Sequence, residues 1–198
     1  LPDVLARAPG RGAWIGVGRP ALEKAVAKGN LRGALARAYK GAPLTVPDSL
    51  PDMIEAALTR VFMDRLGLEL KAGRLLLGSD RIAENARAGM VAWLAHAADA
   101  SADGSRKLDQ AWRVGNEAEG SGMAGVTLPL DRAALSVALG RDNVVHMALT
   151  DTAAAERVSA ALRRLLLYLA DDTVDGTEAT GSEENARGAA AVPHNATN

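Results

Sequence analysis

Met90-Val-Ala-Trp-Leu-Ala-His-Ala-Ala-Asp-Ala-Ser101 decides how the rest of the chain is read. It opens as a short apolar run, residues 91–97, and closes on small polar residues that continue as Ala102-Asp-Gly-Ser-Arg106-Lys107. A run of this length suits a strand buried on both faces. It is too short to cross a membrane. The turn-prone segment after it is expected to deliver two cations, Arg106 and Lys107, at the end of the strand.

Working outward, Arg74-Leu-Leu-Leu-Gly78 reads as a strand before it, and residues 126–128 and 143–149 as strands after it. Helices are expected between them, over 79–88, over 105–114 and from an Asp131 cap to Gly140, a favourable residue just past a helix end. Upstream, Ser49 and Pro51 open a helix in which Ile54, Leu58, Val61, Phe62 and Leu66 recur at helical spacing, with Gly67 and Gly73 punctuating a further turn. Downstream, Thr152 is read as the cap of a last helix with Val158, Ala161, Leu162, Leu165, Leu166 and Leu169 on one stripe. Helices and strands thus alternate from residue 50 to 170. This is the pattern of an α/β chain, here a three-layer α/β/α sandwich around a mixed four-stranded sheet.

The first 43 residues form a separate small basic α/β module. Pro9-Gly10 marks a turn, and Ala13, Ile15 and Val17 alternate with Trp14, Gly16 and Gly18 as in a short strand. Pro20 is placed to start a helix carrying Lys24 and Lys28, and a second helix carries Arg32, Arg37 and Lys40. Residues 44–49, at the end of a proline-containing stretch without periodicity, read as the linker. Residues 171–198, rich in Thr, Gly, Glu, Ala and Asn, read as a disordered acidic tail.

Net charge is −1, yet residues 1–43 hold eight Lys/Arg against two acids and residues 171–198 hold six acids against one Arg. Charge separated in this way suggests a nucleic-acid contact and an acidic tail. Aromatic residues are only 3% of the chain, so the core must be aliphatic. The absence of cysteine excludes disulfides and thiolate metal sites and fits a reducing, cytoplasmic setting. No membrane span or signal peptide is visible, and the first residue is Leu1 rather than Met, as in a piece of a longer chain.

No catalytic constellation, metal site or cofactor is expected. Gly10-Arg-Gly12 with Gly16 and Gly18 does not match a nucleotide-binding loop. Glycines do let a backbone approach phosphate, Arg11 supplies a forked cation and Trp14 a stacking face. The same residues also fit a tight hairpin with an ordinary exposed Arg, and residue chemistry does not separate the two. Basic stripes are commonly just solvated helix faces, but only Glu23 stands among the cations from Arg19 to Lys40, as in a phosphate-binding footprint. His96, His146 and His194 lack metal-ligand spacing and are read as structural. His96, Asp99 and Ser101 lie close in sequence, which is no evidence for a triad. Gly78-Ser-Asp-Arg81, Ser105-Arg-Lys107 and Gly140-Arg-Asp-Asn143 each carry a cation at a loop or helix start. Converging on one edge, they would make a phosphate-binding rim; otherwise they are three separate loops.

Pro9-Gly-Arg-Gly-Ala-Trp-Ile15, Leu22-Glu-Lys-Ala-Val-Ala-Lys28 and Ala36-Arg-Ala-Tyr-Lys40 resemble the second half of the bacterial YlxR-like domain. From Leu66-Gly-Leu-Glu-Leu-Lys-Ala-Gly73 through Gly78, Ala88-Gly-Met90, Asp99-Ala-Ser101 and Leu139-Gly-Arg141, the chain is similar to the kink-turn-binding ribosomal protein superfamily in its YlxQ-like form. Readers of the kink-turn carry Gly-x-Asn-Glu where this chain has Gly78-Ser-Asp-Arg81. The resemblance implies an α/β/α sandwich that binds RNA near the machinery of transcription, translation or RNA processing, the YlxR family being associated with the RNA of ribonuclease P. With no catalytic constellation in view, a non-enzymatic protein binding structured RNA is expected. The resemblance carries over Gly78, Ser79, Arg81 and Arg141 as contact positions; residue chemistry adds Arg11, Gly12, Trp14, Lys24, Lys28 and Lys40 in the first module and Arg106 and Lys107 in the second. Ribosomal or transcription factors are further candidate partners. The alternative expectation is an adaptor that docks on proteins of the same machinery.

Overall fold

The structure is a computed structural model, and it describes residues 2–9, 12–40 and 44–170. Four strands form one mixed sheet: β1 (Leu75–Leu77), β2 (Trp93–His96), β3 (Val126–Thr127) and β4 (His146–Leu149), in the order β1-β4-β2-β3. β4 runs antiparallel to both β1 and β2, and β3 runs parallel to β2. The apolar run of residues 91–97 is therefore an interior strand of the sheet, and β2 is buried along its whole length.

Strand side chains alternate between two faces. Leu75, Trp93, Ala95, Met147 and Leu149 pack on one side against α3 (Leu50–Lys71), α6 (Arg132–Leu139) and α7 (Thr152–Leu169), with Phe62, Leu66, Leu135 and Leu162 filling the layer. Leu76, Leu94 and Ala148 pack on the other side against Ile82 and Ala86 of α4 (Ser79–Arg87) and Leu108 and Ala111 of α5 (Ala102–Gly115). The α/β/α layering read from the sequence is the architecture found.

Local differences have identifiable causes. α3 runs unbroken through Gly67, because Leu66 and Leu70 on the buried face hold the helix where a lone glycine would weaken it by about 1 kcal/mol. α5 begins at Ala102, three residues before the expected start, because the Ser101 side chain accepts the Gly104 N–H as an N-cap. The cap of α7 is Asp151 rather than Thr152, its carboxylate accepting the Ala154 N–H.

The strand expected over residues 13–17 is not formed. Residues 12–17 are exposed, so alternation there has no buried face to serve. Among the described residues the basic module is two helices, α1 (Arg19–Ala27) and α2 (Asn30–Ala38). Leu22 anchors α1 in a buried cluster with Leu58 of α3 and Leu165 and Tyr168 of α7. Arg19 pairs with Glu23, Asp52 and Glu55, joining α1 to the first turns of α3. These acids hold the Arg19 guanidinium firmly protonated.

Candidate functional site

At one end of the sheet, four connecting segments meet around an open cleft of about 520 Å³. Gly78 and Ser79 line it from the start of α4, Ser101 from the start of α5 and Arg132 from the start of α6. The segment 141–145 and His146 complete it from the approach to β4. Gly78, Ser79 and Arg141, expected to share a rim, are thus brought together.

Helix ends shape the electrostatics. The first N–H groups of a helix have no partner within it, and they attract anions. Asp131 caps α6 by accepting the Ala134 N–H, and Ser101 caps α5. No side chain caps α4, whose preceding residue Gly78 has φ of 91°. That left-handed backbone is costly for any residue with a Cβ, so a bare glycine backbone borders the cleft here.

Charge at the rim is nearly balanced. Asp99 accepts the Arg132 backbone N–H at 2.8 Å and its Nε–H at 3.0 Å. These bonds, the backbone one first, hold the Asp99 carboxyl below the usual range. Arg141 has no acidic partner among the described residues, its Nη1 lying 3.5 Å from the Gly140 carbonyl, and Asp142 follows it on the lining.

Beneath the rim lies a buried chain that residue spacing did not disclose. Asp109 Oδ1 accepts the Gly125 N–H at 2.7 Å and lies 3.0 Å from His96 Nε2. His96 Nδ1 lies 2.9 Å from His146 Nδ1. His96 is 2% exposed and His146 8%. The β2–β4 register places the two rings side by side from opposite ends of a 50-residue separation. Gly125 and Gly104 wall them in, since a Cβ on either would come within 3.1 Å of an imidazole nitrogen.

A carboxylate only accepts, so His96 Nε2 carries a proton toward Asp109. When both rings are neutral, His96 Nδ1 accepts and His146 Nδ1 donates to it. His146 Nε2 is left with a lone pair and no protein partner among the described residues; it faces Gly104 at the start of α5, and His146 is one of the residues that line the cleft. Burial pushes the His146 pKa down from 6.5, His96 adds to the effect and Asp109 opposes it. A histidine with a lowered folded pKa contributes stability above its unfolded value and loses it as pH falls through the folded one. The protein is therefore expected to lose thermal stability as pH drops below 6.5. His146→Gln should flatten that segment of a melting-temperature profile; an unchanged profile would assign the acid sensitivity to other groups.

The remaining expected contacts lie elsewhere. Arg81 is exposed one turn into α4 and does not line the cleft. Arg106 and Lys107 do not stand in a loop after β2; they lie on α5 and both pair with Asp103, at 2.5 and 2.8 Å. The earlier start of α5 puts all three on adjacent helical turns, and Lys107 foremost lowers the Asp103 pKa. Gly12, Trp14, Lys24, Lys28 and Lys40 are all exposed, Trp14 by 85%. Arg11 lies outside the described residues, as does the 171–198 tail.

Sequence reasoning missed Arg132 and the His96–His146–Asp109 chain. The Asp131-Arg132 dipeptide at a helix start was the available signal for the first. The second depends on strand register.

No family model matches the chain, and no curated protein does. Among solved structures, the chain is similar to a protein with unknown function from Bacillus halodurans C, at 22% identity and a TM-score of 0.44, over 52% of this chain and 96% of that one. Within the described residues, no helix is long and apolar enough to cross a membrane.

Proposed function

We propose that this chain is a non-enzymatic RNA-binding protein of the bacterial cytoplasm, a YlxR-like module joined to a YlxQ-like domain, acting on structured RNA in transcription, translation or RNA processing. One observation carries the reading. Among the described residues, Lys24, Lys28, Arg32, Arg37 and Lys40 have no acidic partner, because Glu23 is taken by Arg19, and an almost fully exposed Trp14 stands in the same segment. Unpaired cations and an exposed indole in one stretch of chain suit a phosphate backbone with unstacked bases. The cleft adds an uncapped helix start and Arg141, a second place for phosphate.

If five such cations each neutralise one phosphate, log affinity against log salt should have a slope of roughly −4. Each of Lys24→Ala and Lys28→Ala should reduce the slope by about 1 and weaken binding across sequences. Arg81→Ala should change the preference among RNA shapes. The test is capture of total cellular RNA by the full chain at low and moderate salt, with the bound species sequenced. Enrichment of a few structured RNAs, falling steeply with salt, is expected. Equal capture by wild type and by the triple variant Arg11→Ala, Lys24→Ala, Lys28→Ala would remove the N-terminal half of the reading.

A further inference from the structure

The cleft and the buried imidazole chain beneath it are one device. With His146 neutral, Arg132 is ion-paired with Asp99, the charge of Arg141 is offset in number, though not by an ion pair, by Asp142 on the same lining, and His146 keeps a lone pair on Nε2. A phosphate oxygen entering this site meets no net positive charge, and at His146 Nε2 it meets another acceptor. One proton on Nε2 changes both conditions. Nε2 becomes a donor, and the balance of the lining shifts by one positive charge.

Geometry makes that proton easy to accept. His146 keeps its Nδ1–H bond to His96, and His96 keeps its Nε2–H bond to Asp109. No ring has to turn, and the Asp109 carboxylate lies in line behind the new charge. A second proton would go on His96 Nδ1 and would destroy the bond between the rings. The chain therefore has room for one proton and not two. The charged and polar groups around His146 are His96 from β2, Asp109 and Ser101 from α5 and its cap, Arg132 with Asp99 at the start of α6, and Arg141 and Asp142 before β4. α4 contributes Gly78 and Ser79, without charge.

We propose that the cleft is a proton-switched phosphate site, in which His146 takes up one proton as a phosphate oxyanion binds, so that affinity rises as pH falls. This deepens the RNA reading and rests on it only for the source of the phosphate. The lowered His146 pKa agrees with it, because the empty site then rests in its neutral form near pH 7.

Sulfate is the first probe, because its charge is constant over the range that matters. Its dissociation constant for the full chain is measured between about pH 5.5 and 8, together with the ring resonances of the three histidines, assigned with His146→Gln and His194→Asn. Affinity should fall about tenfold for each pH unit above the free His146 pKa and level off below it. Sulfate should raise that pKa. His146→Gln should bind weakly and without pH dependence. Asp109→Asn keeps an oxygen acceptor for His96 and Gly125 but loses the charge, so it should move the same curve to lower pH; this keeps the test decisive if His146→Gln does not fold.

Sulfate affinity that ignores pH, a slope of two protons, or no sulfate binding at the acid end would overturn the switch. A short single-stranded RNA forms the second arm. RNA that follows the sulfate curve supports the switch and names the phosphodiester as its ligand. RNA that fails to bind at every pH, while sulfate remains proton-linked, supports the switch with a free phosphate or monoester and overturns the RNA reading. RNA bound without pH dependence, with sulfate equally indifferent, leaves that reading in place and overturns the switch.

Discussion

Gly115→Ala should lower stability by about 3 kcal/mol, the upper end of what overpacking costs. A Cβ at Gly115 would stand 1.8 Å from the Ala86 carbonyl oxygen and 2.7 Å from the Gly89 nitrogen. Both are backbone atoms at the end of α4, so no rotamer change can relieve the clash. The two helices must separate. Their facing residues Ile82, Ala86, Leu108 and Ala111 are all buried, and parting them opens voids in that layer. A loss of this size corresponds to a fall of roughly 6–12 °C in melting temperature for a chain of this length.

The control is Gly67→Ala, at a glycine inside α3 with nothing within 4 Å of the added carbon. It should raise stability by about 0.5–1 kcal/mol, as expected when alanine replaces glycine within a helix. Opposite signs from one chemical change would establish that Gly115 serves close approach. Equal and small effects would mean that α4 and α5 are free to adjust. Because both helices begin at the cleft, their crossing at the far end also sets how Gly78 and Ser101 face one another.

Much of this arrangement was legible in the sequence, for reasons that can be stated residue by residue. Leu75–Leu77 and Trp93–His96 are short apolar runs bounded by turn residues, and an interior strand of a covered sheet has to look like that. Asp131 and Gly140 punctuate α6 with chemistry that needs no tertiary context. Gly78, Ser79 and Arg141 were candidates for a common edge, since a layered α/β chain puts its connections at the two ends of the sheet, but which end each loop reaches follows only from the strand order. What was missed depends on register or on competition. His96 meets His146 only because β4 pairs with β2 in one particular alignment. Arg106 and Lys107 looked free until the Ser101 cap drew Asp103 into the same helix. Residues 13–17 alternate like a strand, but alternation yields structure only where one face can be buried, and here both are exposed.

Replacing both Arg74 and Arg157 with Met should cost about 3 kcal/mol at neutral pH, because it strands the Glu69 carboxylate in the core. Glu69 is 1% exposed. Arg74 donates to its Oε2 through Nε and Nη2, both at 2.6 Å. Arg157 donates to its Oε1 from 3.3 and 3.2 Å. One carboxylate on α3 thereby ties down the entry to β1 and the middle of α7. Burial alone would raise its pKa; the two guanidinium groups outweigh burial and bring it below 4.5. In the wild type, this contribution to stability is present above pH 4.5 and lost as pH falls through the lowered folded value. The double variant reverses the sign. Burial then acts unopposed, the folded pKa rises, and stability falls as pH rises through the unfolded value toward the folded one. The gap in melting temperature between wild type and variant should therefore be smaller at pH 5 than at pH 7, the acid loss through His146 being common to both. The lower end of the usual cost applies because the guanidinium groups are about two-fifths exposed and partly screened by water. Adding Glu69→Met should restore most of the loss, since a fully apolar replacement of a buried ion cluster is close to neutral. If the triple variant is as unstable as the double, the aliphatic stems of Arg74 and Arg157 hold α7 and β1 to α3 by packing, and the buried charge is not what makes the junction costly to disturb.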